Sequence, residues 1–324
     1  LTPSKVIGVT GSDGKTTTTT LISKVLEAGG HKVFLGGNIG FPLFTKISEM
    51  TPEDFVVLEL SSFQLMNMKI SPTISVITNI TPNHLNIHSS MEEYVEAKQN
   101  IFLHQEPEDL VILNYDNEIT RECGKIAKSR VVYFSSKEKL ENGYIVDDDK
   151  IKYCQNGLRS HILDTKNIIL RGKHNAENIC AVLAATKEFV NQETAIKTIS
   201  EFRGVEHRIE LVKETENRVK WYNDSASSSP TRTIVGLNSF SRRNIILIAG
   251  GYDKNLDYAP LAKPVLDNCK ELILIGQTAD KIKNAVEKEM QKDTTGKKLG
   301  IHKCDSLLET IELAKTLTNK GDIV

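Results

Sequence analysis

From Val9 to Thr19 the chain reads Val-Thr-Gly-Ser-Asp-Gly-Lys-Thr-Thr-Thr-Thr. Gly11 and Gly14 let backbone N–H groups come close to an anion. Lys15 supplies a cation that can reach terminal phosphates, and the Thr16 hydroxyl can sit on a bound magnesium ion, with Thr17 beside it. The usual spacing G-x-x-x-x-G-K-[ST] is short by one glycine, because Val9 stands five residues before Gly14. The remaining pattern also fits a glycine turn ahead of a threonine-capped helix. Its setting favours phosphate. The apolar run Val6-Ile7-Gly8-Val9 before it reads as a buried strand, and Leu21 to Leu26 after it carries apolar residues at helical spacing. A helix starting there points its positive dipole end at the anion. The expected ligand is a nucleoside triphosphate.

Three further side chains could join such a site. Glu59 ends the apolar run Phe55 to Leu60, where a carboxylate is costly unless a cation or hydrogen bonds compensate it. It reads as a magnesium ligand, or as a strand-end carboxylate in ordinary hydrogen bonds. His84 and His88 stand four apart after another strand-like run, a spacing that binds metal on a helix, although Pro82 speaks against a helix there. Structural or exposed histidines are the other reading. Lys98, in Glu92 to Phe102, reads on its own as a solvated helix lysine.

The elements that must position these residues alternate. Phe55–Leu60, Ile74–Ile80 and Leu110–Asn114 read as buried strands, and 91–103 and 175–190 as amphipathic helices. That rhythm predicts an α/β fold, a mostly parallel sheet with helices on both faces. Short alternating runs between about 131 and 170, such as Gly143 to Val146 and Lys150 to Tyr153, predict a small antiparallel flap. The segment Arg203 to Arg208 breaks the rhythm. A second, Rossmann-like α/β domain follows, with strands at 218–222, 244–249 and 271–275 and helices near 230–238, 278–290 and 305–318. The expected domains are 1–204 and 205–324. The end, Gly321-Asp322-Ile323-Val324, reads as a strand just starting, and Leu1 runs almost directly into a buried strand. Both ends are therefore expected to be cut from a longer chain. At 324 residues the chain fits two domains. The 41 basic and 42 acidic residues leave no global field for nucleic acid or membrane. No apolar run approaches the ~18–20 residues of a membrane span. Five widely spaced cysteines, with no C-x-x-C, fit neither a disulfide framework nor a zinc site and point to a reducing cytoplasm.

Eight segments, in order, resemble the Mur ligases. They are Gly11 to Thr17, Gly36-Gly37-Asn38-Ile39-Gly40, Glu59 to Leu65, Asn83-His84-Leu85, Tyr94 to Lys98, Gly172 to Asn178, Glu206-His207-Arg208 and Asn223-Asp224-Ser225. Within the family, Gly-Asn-Ile-Gly and Glu-Leu-Ser-Ser-Phe-Gln-Leu are most similar to members that join D-glutamate to UDP-N-acetylmuramoyl-L-alanine for peptidoglycan. The resemblance implies ATP-driven phosphorylation of a substrate carboxylate, followed by attack of the amino acid's amine on the acyl phosphate. It implies that Gly14, Lys15, Thr16 and Thr17 hold the triphosphate, that Glu59 binds one magnesium ion and His84 a second. Asn38, with Ser61 and Gln64 nearby, would contact the muramoyl substrate. Asn175, Asn178, Arg208 and Asp224 would surround the nucleotide between the two domains, and Lys254 would lie near the incoming glutamate. Lys98 would be carbamylated by carbon dioxide and ligate magnesium, a reading only the resemblance licenses. Its partners would be these small molecules alone, bound by a monomer.

Four departures stand out. Asn86 replaces the aspartate of Asn-His-Leu-Asp, and Ala226 replaces the lysine of Asn-Asp-Ser-Lys. The family's UDP-gripping N-terminal domain and the final segment of the amino-acid pocket are not in this sequence, so this stretch alone is expected to bind ATP but turn over poorly. Two other functions stay open. One is a sister ligase of the folylpolyglutamate or diamino-acid type, against which Gly37-Asn38-Ile39-Gly40 speaks. The other is a nucleotide-binding module without catalysis, against which Lys15, Glu59, His84 and Lys98 speak.

Overall fold

The computed structural model describes residues 2–39, 42–81, 90–170, 172–227, 229–240 and 243–324. The chain divides into two compact units, Leu1–Phe202 and Arg203–Val324.

The first unit is built on one sheet. Strands β1 (Lys5–Thr10), β2 (Val33–Gly37), β3 (Phe55–Glu59), β4 (Ile74–Ile77), β5 (Leu110–Asn114), β6 (Arg130–Ser135), β7 (Gly143–Asp147), β8 (Lys150–Gln155) and β9 (Leu158–Asp164) lie in the order β2-β3-β1-β4-β5-β6-β7-β8-β9. Pairing is parallel from β2 through β7 and antiparallel from β7 to β9. Helices α1 (Lys15–Ala28), α2 (Ser62–Leu65), α3 (Met91–Gln99), α4 (Glu118–Ile126), α5 (Lys173–Thr186) and α6 (Gln192–Glu201) cover it. Strand β5 shows why both faces need cover. Leu110 and Ile112 pack into one core with Leu21, Ile22 and Ile179, while Val111 and Leu113 pack into another with Leu65, Tyr94 and Phe102. Alternate residues of one strand face opposite ways, so a two-sided apolar strand demands helices on both sides.

The sequence places the antiparallel flap from about 131, but the structure starts it later. Arg130–Ser135 pairs parallel to β5, and the antiparallel part is Gly143 to Asp164. The unbroken run Val131-Val132-Tyr133-Phe134 is the signature of a parallel strand, and alternation begins only at Gly143. The helix expected to reach 103 stops at Gln99, where Ile101 and Phe102 turn back onto Lys98 and Gln99 in tighter i to i+3 bonds.

The second unit has the antiparallel pair β10 (Glu210–Glu214) and β11 (Lys220–Asn223). Beside it is the parallel set β12 (Ile245–Gly250), β13 (Cys269–Ile275) and β14 (Gly300–Cys304), in that order. Helices α7 (Pro230–Asn238), α8 (Ala259–Asn268), α9 (Ala279–Lys292) and α10 (Leu307–Leu317) complete it. Residues 322–324 form strand-like bonds to both sets. Lys220 N donates to Asp322 O at 2.9 Å, and Ile246 N to Ile323 O at 2.8 Å. Helix α8 escapes a sequence reading because Pro260 and Pro264 read as breakers, yet its Leu261, Val265 and Leu266 are buried in the unit's core.

Candidate functional site

The loop between β1 and α1 carries the phosphate-cradle residues. Gly14 caps α1 with φ +80°, a left-handed conformation that glycine adopts without strain. A Cβ on Gly11 would stand 1.9 Å from Thr78 Oγ1, so the backbone fits only as glycine. The end of β4 straps this loop down. Thr78 Oγ1 donates to Asp13 O at 2.5 Å, Asn79 Oδ1 accepts from Asp13 N at 3.0 Å, and Asn79 O accepts from Ser12 N at 2.9 Å. The sequence reading missed Thr78 and Asn79, whose only signal is their place just beyond a buried strand. From α5, the Asn178 amide packs against Gly14 and donates to Asn175 Oδ1 at 3.3 Å, so both asparagines border the loop.

Two lysines converge on one oxygen. Lys15 Nζ donates to Gly11 O at 2.8 Å and to Ser12 O at 2.9 Å, while Lys98 Nζ donates to Gly11 O at 2.9 Å and to Thr10 Oγ1 at 3.2 Å. Lys98 is not solvated: only 1% of it is exposed. Burial first, then the neighbouring Lys15 charge, pull its ammonium down to about 7, against the opposing pull of Asp13 and Glu59. Its Nζ also lies 4.8 Å from the centre of the Tyr94 ring.

Glu59 is buried at the end of β3, directly beside β1 in register with Val9. Oε1 accepts from Asn38 Nδ2 at 3.0 Å, but Oε2 is buried with no hydrogen-bond partner among the described residues. A desolvated carboxylate oxygen left without a donor is costly, and a hard cation would compensate it. With the buried Thr16 hydroxyl on α1, the donor chemistry fits magnesium. Among the described residues no three His, Cys, Asp or Glu side chains gather around one point. His84 lies outside the described residues.

Asn38 thus holds Glu59 twice, since its N–H also donates to Glu59 O at 2.8 Å. Ser61 and Gln64 close on each other in a capping box at the start of α2: Gln64 Oε1 accepts from Ser61 N at 2.9 Å and from Ser61 Oγ at 3.0 Å. Both side chains therefore have a local structural partner already.

In the second unit, Asp224 follows β11. Its Oδ1 accepts from Ile209 N at 3.0 Å and its Oδ2 from Ser227 Oγ at 2.6 Å. Burial raises this carboxyl, against those bonds and the Arg208 and Arg232 guanidiniums. The Glu206-His207-Arg208 turn is tied to the same place by Ala226 N donating to His207 O at 2.9 Å. Position 226 contributes only its backbone there, so the missing lysine leaves the turn intact. Lys254 is exposed in the loop after β12, next to Asp253, which pairs with Lys281 at 2.6 Å. That loop lies outside the carboxyl ends of parallel strands, where open α/β sheets bind ligands.

Comparison with known proteins agrees with this architecture. The Mur ligase middle domain matches residues 9–186, and the Mur ligase glutamate ligase domain matches 207–324. The UDP-N-acetylmuramoylalanine–D-glutamate ligase of Acetivibrio thermocellus is 50% identical over 324 residues, covering 100% of this chain and 69% of that protein. The ligase of the same name from Clostridium novyi is 49% identical over 322 residues, 99% of this chain and 69% of its own. Among solved structures, the UDP-N-acetylmuramate-alanine ligase of Thermotoga maritima shares the fold, with a TM-score of 0.69 at 22% identity over 98% of this chain and 70% of that one. With both of its units matched and half its residues shared with such relatives, the chain belongs to the Mur ligase family.

Proposed function

We propose that the chain forms the ATP-using part of a ligase that joins D-glutamate to UDP-N-acetylmuramoyl-L-alanine in peptidoglycan precursor synthesis. One observation carries the chemistry: two amines converge on the glycine loop that opens helix α1, and a buried, half-satisfied carboxylate ends the neighbouring strand. The relatives' shared name supports the choice of D-glutamate over a diamino acid or a folate. The γ-phosphoryl group of ATP passes to the substrate carboxylate and ADP departs. The amine of D-glutamate then attacks the acyl carbon, an amide forms, and inorganic phosphate and a proton leave.

In this reading Gly11, Gly14, Lys15, Thr16 and Thr17 bind the triphosphate. Lys15 exchanges its backbone carbonyl partners for phosphate oxygens and stabilises the charge that spreads over the transferring group. Thr16, Glu59, His84 and Lys98 hold two magnesium ions, which when bound neutralise phosphate charge and polarise the transferred group. The lowered proton affinity of Lys98 supports a carbamate there. The neutral amine adds to the carbon of carbon dioxide and loses one proton, and the resulting carbamate anion would be an oxygen ligand. Asn38 works through Glu59, whose carboxylate it orients. Ser61 and Gln64 are proposed to shape the floor for the muramoyl substrate. Asn175, Asn178, Arg208 and Asp224 are proposed to bind the nucleotide, and Lys254 the carboxylates of glutamate. We place the enzyme in the cytoplasm, as a monomer acting on small molecules. All five cysteines are unpaired, and among the described residues no helix is long and apolar enough to cross a membrane.

The test is phosphate release from ATP by the full-length gene product with UDP-N-acetylmuramoyl-L-alanine, offering D-glutamate, L-glutamate, meso-diaminopimelate and L-lysine separately. Release only with D-glutamate is expected. Release with another amino acid moves the protein to a sister ligase, and no release with any of the four overturns the reading.

A further inference from the structure

Tyr94 lies one helical turn before Lys98 on α3, and both are almost fully buried. Residues four apart on a helix share a face, which explains the 4.8 Å approach of the Lys98 amine to the Tyr94 ring. The other end of Tyr94 points to the phosphate loop: its hydroxyl lies 3.0 Å from Ser12 Oγ, in a buried contact. Ser12 in turn accepts from Thr81 N at 2.9 Å and lies 2.9 Å from Thr81 O. One tyrosine therefore touches the loop that would cradle phosphate and the amine that would face it. Ring and hydroxyl act on different partners.

We propose that Tyr94 is a positioning residue for Lys98, its ring fixing the amine against Gly11 O and its hydroxyl locking that arrangement to the phosphate loop through Ser12. The ring is the larger contributor. A buried cation–ring contact corresponds to roughly a thirtyfold preference for the held ammonium. The catalytic meaning of the clamp rests on the reading of Lys98 as a carbamylated ligand. The clamp itself does not.

The test compares the full chain with Tyr94→Phe, which keeps the ring, Tyr94→Leu, which loses ring and hydroxyl, and Ser12→Ala. Circular dichroism melts select variants that fold. The first readout is the Lys98 side-chain amine in a proton–nitrogen spectrum of lysine-labelled protein, recorded in carbon-dioxide-free buffer below pH 6. A protected Lys98 resonance is expected in the wild type and in Tyr94→Phe, and its loss in Tyr94→Leu. A wild type without that resonance, or a folded Tyr94→Leu that keeps it, overturns the proposal. The second readout is the carbamate carbon signal after adding labelled bicarbonate; the ring favours the ammonium over the neutral amine that takes up carbon dioxide, so the signal is expected not to fall in Tyr94→Leu. If the wild type shows the amine pattern but no carbamate, the clamp stands and the carbamate reading of Lys98 fails.

Discussion

Lys98 keeps its amine where water does not reach it, and this has a thermodynamic signature. Its ordinary value of 10.5 is pulled to about 7 by burial and by Lys15. Between those values the unfolded chain binds a proton that the folded chain has shed, so this residue's contribution to stability rises with pH. Below about 7 the lysine is protonated in both states and its full penalty is present. The wild type is therefore expected to gain on Lys98→Met by up to about 1.4 kcal/mol for each pH unit between roughly 7 and 9. Denaturant melts of the two proteins at several pH values, free of carbon dioxide, measure the gap; a constant gap removes the effect. The sequence could not foretell this. The helix pattern around Lys98 is that of a surface helix, and only the packing of α3 against the loop carbonyl of Gly11 makes the lysine interior. Glu59 was more legible, because a carboxylate within an apolar strand already signals a need for compensation. Its orphaned Oε2 meets that expectation halfway, with Asn38 satisfying only Oε1.

At the scale of elements, the phosphate loop is held by its neighbour more than by itself. Thr78 and Asn79 contribute three side-chain bonds to Asp13, and Gly11 has no room for a side chain beside Thr78. Gly11→Ala is expected to cost about 1–3 kcal/mol, the usual range for overpacking a tight site, and to weaken ATP binding. The cost should shrink by about 1 kcal/mol or more in a Thr78→Ala background, because residues in contact are not additive. A double-mutant cycle by denaturant melts decides it, and strict additivity would remove Thr78 as the reason for glycine at 11. The order strand, loop, helix was readable from Val6 to Leu26, since periodicity and glycine placement are local signals. The strap was not readable, because nearly seventy residues separate Asp13 from Asn79. Helix α8 escaped for the opposite reason: its two prolines argue against a helix and its buried leucines and valine for one.

At the scale of the molecule, each unit has its own apolar core, and the first unit's sheet joins two kinds of pairing. Parallel strands β1, β3 and β4 come from segments 50 to 70 residues apart, whereas β7, β8 and β9 follow one another through two-residue connections. Those connections, Asp148-Asp149 and Asn156-Gly157, all have positive φ, the geometry that matches strand twist in tight hairpins. Among the described residues, strand pairing joins the hairpins to the parallel part at two residue pairs, Phe134 with Tyr144 and Ser135 with Ile145. Short loops close quickly and long ones slowly. The meander is therefore expected to assemble first during refolding, with amides of 143–164 protected before those of 5–10 and 55–59 in a pulse-labelling exchange experiment; simultaneous protection would contradict this order. The phosphate loop then belongs to the last part of the sheet to be completed, and a newly made chain acquires a nucleotide site only after the rest of its first unit has committed to the fold.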